Sequence, residues 1–187
     1  MRRLRLPQHE TGYLPRPARP NEELLVHFEH LVQINDPLNP LLESLTAEQV
    51  WQALLWRAEK PQDFQEDITE VVIHERGDDY LVRSFRLGKL HVRDHIEWEE
   101  GRTIDFHTQP NDEHSGGRLT ITIEAPDEAQ LFVRFTYNTP LPETVAPGSD
   151  DASDAYFASY VKSAYHAADV DTVRRIRELA AAGQLKS

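Results

Sequence analysis

Between residues 67 and 138 the chain passes through six successive stretches that alternate apolar and polar residues. After a proline-punctuated connection it becomes one amphipathic pattern of some thirty residues. Alternation at period two marks strands that bury one face, and strands joined by links this short must pair antiparallel. Such a sheet has an apolar face to cover, and the long terminal helix is the element able to cover it.

The second and third stretches, Tyr80–Leu87 and residues 90–98, are joined by Gly88-Lys89. A two-residue turn fixes the register: Leu87 faces Leu90, Phe85 faces Val92, Arg83 faces Asp94 and Leu81 faces Ile96. Every second residue shares a side, so Arg83 and Asp94 fall among Leu81, Phe85, Leu87, Val92, Ile96 and Trp98 on the inner face. Desolvating a charge pair in a solid core costs several kcal/mol per ion. A sheet curved around a cavity accepts one more readily.

The remaining elements follow from the same rules. Residues 24–35 alternate as a strand with Val26, Phe28, Val32 and Ile34 inward. Thr46-Ala-Glu-Gln49 is a capping box and opens a helix to about Glu59, with Val50, Trp51, Leu54, Leu55 and Ala58 as its buried stripe and Lys60-Pro61 as its stop. Trp56 lies off that stripe, a candidate for a cavity mouth. Glu99-Glu100-Gly101 reads as a three-residue hairpin loop, which pairs Ile96 with Ile104 and Asp94 with Phe106. Leu119, Ile121, Ile123, Leu131, Val133, Phe135 and Tyr137 continue the inner face. The terminal helix, about residues 152–182 and about 45 Å long at 1.5 Å per residue, presents Phe157, Tyr160, Val161, Ala164, Ala168, Val173, Ile176 and Ala180 on one side and stops at Gly183.

At 187 residues one domain is expected, with a net charge of −12. Residues 1–20 carry five arginines and one acid, a local +4, leaving −16 on the rest. A body that acidic repels phosphate backbones, so nucleic acid is not an expected partner. The basic start, with four prolines and few apolar residues, reads as a flexible arm over residues 1–22 preceding one domain over 23–187. It lacks the apolar stretch of a secretory signal, and no run of about 18 apolar residues offers a membrane span. The absence of cysteine removes disulfides, thiolate metal sites and a cysteine nucleophile. The expected compartment is the cytoplasm, without stable membrane association.

Strand, short helix, six antiparallel strands and one long helix is the order of the helix-grip fold, an α+β architecture. FEHLVQIN (28–35), LTAEQVWQALLWRAEKP (45–61), VRDHIEWEEG (92–101), GGRLTITIEAP (116–126) and LFVRFTYN (131–138) carry a family likeness. In them the chain resembles the SRPBCC (START-like) superfamily, and within it the AtaL-like subgroup named after a fungal acetylaranotin-biosynthesis protein. The resemblance implies a curved sheet of about seven strands around the long helix, with a cavity between them. Relatives bind lipids, hormones or polyketides there, and some cyclise or dehydrate what they hold. It implies no agreed catalytic motif.

Two readings of the inward charge pair stand together. Arg83 grips a ligand carbonyl or carboxylate while Asp94 orients it or takes a proton, or the two form a structural pair at the cavity floor. His30, between Phe28 and Val32, is a hydrogen-bonded core residue or a base; Asp94 and His30 are thus the candidate catalytic groups. Phe85, Trp98, Phe106, Tyr137, Tyr160 and Tyr165 complete the candidate ligand contacts, with ordinary packing as the alternative for the tyrosines. His91, His95 and His107 share the outer, solvated sheet face, and no metal or other cofactor is expected. No P-loop, GxGxxG or GxSxG motif occurs. The expected function is binding of a small, largely apolar molecule with one polar end. An enzyme of the cyclase or dehydratase type is the second reading, and a dimerising interaction module with a vestigial cavity, hence a homodimer, the third.

Overall fold

The computed structural model describes residues 26–39, 41–127, 129–139 and 151–186, with backbone only for Val26 and residues 151–158. The arm expected over residues 1–22 and most of the proline-rich connection to the last helix lie outside the described residues. Seven strands form one antiparallel sheet: β1 (Val26–Asn35), β2 (Ile68–Arg76), β3 (Tyr80–Leu87), β4 (Leu90–Glu99), β5 (Thr103–Thr108), β6 (Gly117–Asp127) and β7 (Gln130–Thr139). Their spatial order is β1-β7-β6-β5-β4-β3-β2. Helix α1 (Ala47–Glu59) and a 3-10 turn (Pro61–Asp63) lie between β1 and β2, and helix α2 (Asp151–Ala181) follows β7. This is the expected α+β helix-grip fold.

The β3–β4 register is the one the Gly88-Lys89 turn dictates, with Leu87 opposite Leu90 and Arg83 opposite Asp94. The β4–β5 register differs from expectation by two residues. Ile96 faces Phe106, Asp94 faces Thr108 and Trp98 faces Ile104. The hairpin closes one pair later, with the amide of Arg102 donating to the Glu99 carbonyl at 3.0 Å, so the loop is Glu100-Gly101-Arg102. Gly101 sits in its middle at φ 71°, a conformation costly for any other residue. A shift of two preserves every residue's side of the sheet, and the inner face is unchanged.

Helix α1 begins with both halves of the capping box: the Gln49 amide donates to Thr46 Oγ1 at 3.1 Å and the Thr46 amide to Gln49 Oε1 at 2.9 Å. Its buried side is Val50, Trp51, Ala53, Leu54 and Ala58, with Leu55 half-buried. Trp56 donates to Asp63 Oδ2 at 2.7 Å and does not line the cavity described below, so it is not the mouth residue its position suggested.

The expectation for α2 holds for its second half. Val173, Ile176 and Leu179 are buried with Ile34, Leu54 and Ile121 in the main core, and Leu185 folds back into it past Gly183. Arg177 donates to the carbonyls of Ile34 and Glu43, and Arg175 to that of Asp63, tying this half to β1 and the α1 region. In the first half Tyr160 is 63% exposed and Ala164 is exposed, so the apolar side read across the whole helix is not all core; the Phe157 side chain lies outside the described residues. Ala168 is exposed because it faces a cavity. A second apolar cluster, Ile68, Phe85 and Val92 with Val71 and Leu87, sits apart from the main core.

Candidate functional site

A cavity of about 520 Å³ lies between the inner face of the sheet and α2. Ligand pockets commonly span roughly 300–1,000 Å³. Residues of both apolar clusters line it: Ile68, Phe85, Leu87 and Val92 from the smaller, Phe64, Phe106, Leu119 and Tyr137 from the larger. Small side chains keep it open where strands and helix approach, notably Gly116, Gly117, Thr108 and Ala168. Gly116 is at φ 74°, and a Cβ there would sit 2.5 Å from the Thr108 carbonyl, so this corner of the wall requires glycine.

The Arg83–Asp94 pair lies in the cavity wall, 4% and 3% exposed. Arg83 Nε and Nη2 donate to Asp94 Oδ2 at 3.1 and 2.9 Å, and Thr108 donates to Asp94 Oδ1 at 2.9 Å. Arg83 Nη1 donates to the carbonyls of Arg57 and Ala58 at 2.9 and 2.6 Å, two acceptors in the last turn of α1. A cation at that position also suits the negative end of the helix. Burial works against the guanidinium's charge, chiefly, and Asp94 supports it. Two of the five hydrogen bonds around the pair therefore tie α1 to the sheet, and the other three join β3, β4 and β5.

At another part of the wall, Tyr137 of β7 and Tyr165 of α2 stack with centroids 4.1 Å apart and planes within 3°. The Tyr137 hydroxyl donates to Asp169 Oδ1 at 2.5 Å. Asp169 is 2% exposed, and burial pushes its carboxyl up to about 7, against the opposing pull of the Tyr137 hydrogen bond. Burial likewise drives the Tyr137 phenol far above its ordinary range, with the Asp169 charge adding to it. His30 Nδ1 lies 3.4 Å from Asp169 Oδ2, and its ring stacks on His166 at 3.9 Å; burial lowers its proton affinity. The Thr139 hydroxyl, in the same wall, is buried without a hydrogen bond in normal geometry among the described residues. It is near enough to the Tyr165 phenol to offset part of the upward push that burial gives it.

Of the residues singled out in the sequence, Arg83, Asp94, Phe85, Phe106, Tyr137 and Tyr165 line this cavity. His30, Trp98 and Tyr160 do not: His30 stands behind Asp169, Trp98 packs on the main core and Tyr160 faces outward. Arg57 and Asp169 were not singled out. Arg57 lines the cavity with its guanidinium 5.2 Å from the Phe106 ring centre. Asp169 had a legible signal, since it lies four residues after Tyr165 and four before Val173 and so falls on the helix's inward stripe. Among the described residues no three His, Cys, Asp or Glu side chains converge as a metal site, and no helix is long and apolar enough to cross a membrane.

Compared with curated proteins, the chain has no match. Among solved structures it is similar to the ZhuI aromatase/cyclase of a Streptomyces species, at TM-score 0.59 and 15% identity over 83% of this chain and 94% of that one. It is similar to the di-domain ARO/CYC StfQ of the steffimycin biosynthetic pathway, at TM-score 0.61 and 15% identity, covering 87% of this chain and 53% of that one. Human STARD10 matches at TM-score 0.57 and 12% identity, over 87% and 67%. At such identities the likeness is one of fold, which is START-like. Residues 32–183 match the family model described as Acetylaranotin biosynthesis cluster protein L, and the chain belongs to that family.

Proposed function

We propose that this protein binds a small, largely apolar molecule with one polar end in the cavity between the sheet and α2. The observation that carries the reading is the cavity itself: about 520 Å³, walled by Phe85, Phe106, Leu119, Tyr137 and Tyr165, with buried polar groups at Arg83–Asp94, Thr139 and Thr172. Apolar walls supply affinity in proportion to buried area, and a few fixed polar groups set orientation. Arg83 keeps one Nη2 hydrogen beyond its four bonds, enough to meet a carbonyl or carboxylate oxygen. Native mass spectrometry of freshly purified protein tests this. The expected result is an adduct of a few hundred daltons, lost on denaturation. Apo mass alone, together with no saturable uptake of naphthalene-sized probes, would overturn it.

A second reading, acid–base chemistry of the cyclase or dehydratase type, is favoured by one observation. Asp169, with a carboxyl near 7, is hydrogen-bonded to a tyrosine of the cavity wall. Two of the similar solved structures are named as an aromatase/cyclase and a di-domain ARO/CYC. The bases expected from the sequence are less well placed: both Asp94 oxygens are engaged, and His30 is outside the wall. Incubating the protein with its own co-purifying molecule and following that molecule's mass and absorbance separates carrier from catalyst.

A further inference from the structure

We propose that Tyr137 and Asp169 together form the cavity's contact for a carbonyl-bearing ligand, with protonated Asp169 donating to the Tyr137 oxygen and the Tyr137 hydroxyl donating in turn to the ligand carbonyl. The inference rests on the cavity being a ligand site. A phenol has one hydrogen to give. When Asp169 is ionised it accepts that hydrogen at 2.5 Å, and Tyr137 offers the cavity only a lone pair. When Asp169 is neutral it becomes a donor itself, the bond to Tyr137 reverses, and the phenolic hydrogen is freed toward the cavity that Tyr137 lines. One proton on a group that does not touch the ligand thus sets whether the wall donates or accepts.

The surroundings of Asp169 fit this role. From β7 it meets Tyr137, from β1 His30 Nδ1 at 3.4 Å, from its own helix His166, and from α1 the charge of Arg57. Arg57 and His166 favour the carboxylate, but burial outweighs them and holds the group near 7. Burial lowers the proton affinity of His30 from its ordinary value. The Tyr137–Tyr165 stack holds the ring in place, so the hydroxyl hydrogen moves only by rotation about the C–O bond, and the bond to Asp169 sets its direction.

Two probes small enough for the cavity separate the states: 2-acetylnaphthalene, which can only accept, and 2-naphthol, which can do either. Binding of each is measured from pH 6 to 8.5. With a carboxyl near 7, the competent fraction falls enough to weaken 2-acetylnaphthalene binding by roughly ten- to thirtyfold over that range, while 2-naphthol stays nearly level. Asp169→Asn, whose amide donates at every pH, should hold 2-acetylnaphthalene at the pH 6 affinity throughout. Tyr137→Phe should lose the pH dependence and bind 2-acetylnaphthalene weakly at both ends, while retained 2-naphthol binding reports an intact cavity. A flat 2-acetylnaphthalene profile in the unaltered protein, or unchanged binding in Tyr137→Phe, overturns the proposal. Failure of both probes to bind at any pH overturns the cavity reading, and this inference with it.

Discussion

Replacing Arg83 with methionine removes more than half of an ion pair. It strands the Asp94 carboxylate, 3% exposed, and strips the Arg57 and Ala58 carbonyls of their shared donor. Breaking a buried pair costs about 3–5 kcal/mol, and each unsatisfied buried polar group about 1–3 kcal/mol more. Because the pair lines the cavity, water can reach the stranded groups, which puts the sum at the low end, about 5–6 kcal/mol. Asp94→Asn removes a charge but leaves Arg83 its two carbonyl acceptors and its place at the negative end of α1, so it should cost about half as much. The double variant Arg83→Met, Asp94→Leu would be nearly neutral if the pair only balanced itself. With two orphaned carbonyls it should still cost about 2–4 kcal/mol. Urea denaturation of the four proteins, assembled as a double-mutant cycle, reads these values. Equal costs for the two single variants, or a double variant as stable as the unaltered protein, would refute the claim that Arg83 anchors α1.

Asp169 predicts a distinctive pH dependence of stability. Its folded carboxyl sits near 7 instead of the ordinary 3.8, so the folded state keeps a proton that the unfolded chain has released, and stability falls as pH rises from about 4 to 7. The loss accumulates at about 1.4 kcal/mol for each pH unit crossed between those two values. Asp169→Asn should therefore exceed the unaltered protein by a few kcal/mol at pH 8 and match it near pH 4; a pH-independent difference would contradict this. Thr46→Ala, which removes the α1 cap, should cost about 1 kcal/mol, or a fall in Tm of about 2–4 °C in thermal melts. Deleting residues 152–187 removes Val173, Ile176, Leu179 and Leu185 from the main core, so the remainder should aggregate; a soluble truncation with a cooperative melt would argue against the helix as an integral part of the fold.

The parts of this fold that could be read in advance were those fixed locally. The Gly88-Lys89 turn admits one register, and the β3–β4 pairing follows from it. The Glu99–Arg102 segment admits two loops, and period-two patterning cannot choose between registers two residues apart because both bury the same side chains. What stayed hidden was tertiary. Nothing near Arg83 in sequence shows that the last carbonyls of α1 will arrive beside it. Nothing near Tyr137 announces an aspartate arriving from the last helix, 32 residues on. Asp169 itself was visible as a charge on an apolar stripe, but the stripe drawn through Ala164 and Ala168 runs one residue to its side.

The most direct test of the central claim is to locate a bound molecule. In amide and methyl NMR spectra titrated with 2-naphthol, saturable shifts should gather at Val92, Leu119, Tyr137 and Tyr165, which line the cavity from three strands and the helix. They should vanish in Leu119→Trp, a variant that fills the space, with a cooperative thermal melt as the check that it folds. Shifts scattered over the outer sheet face, or unchanged by that filling, would show that the cavity is not where this protein holds its ligand.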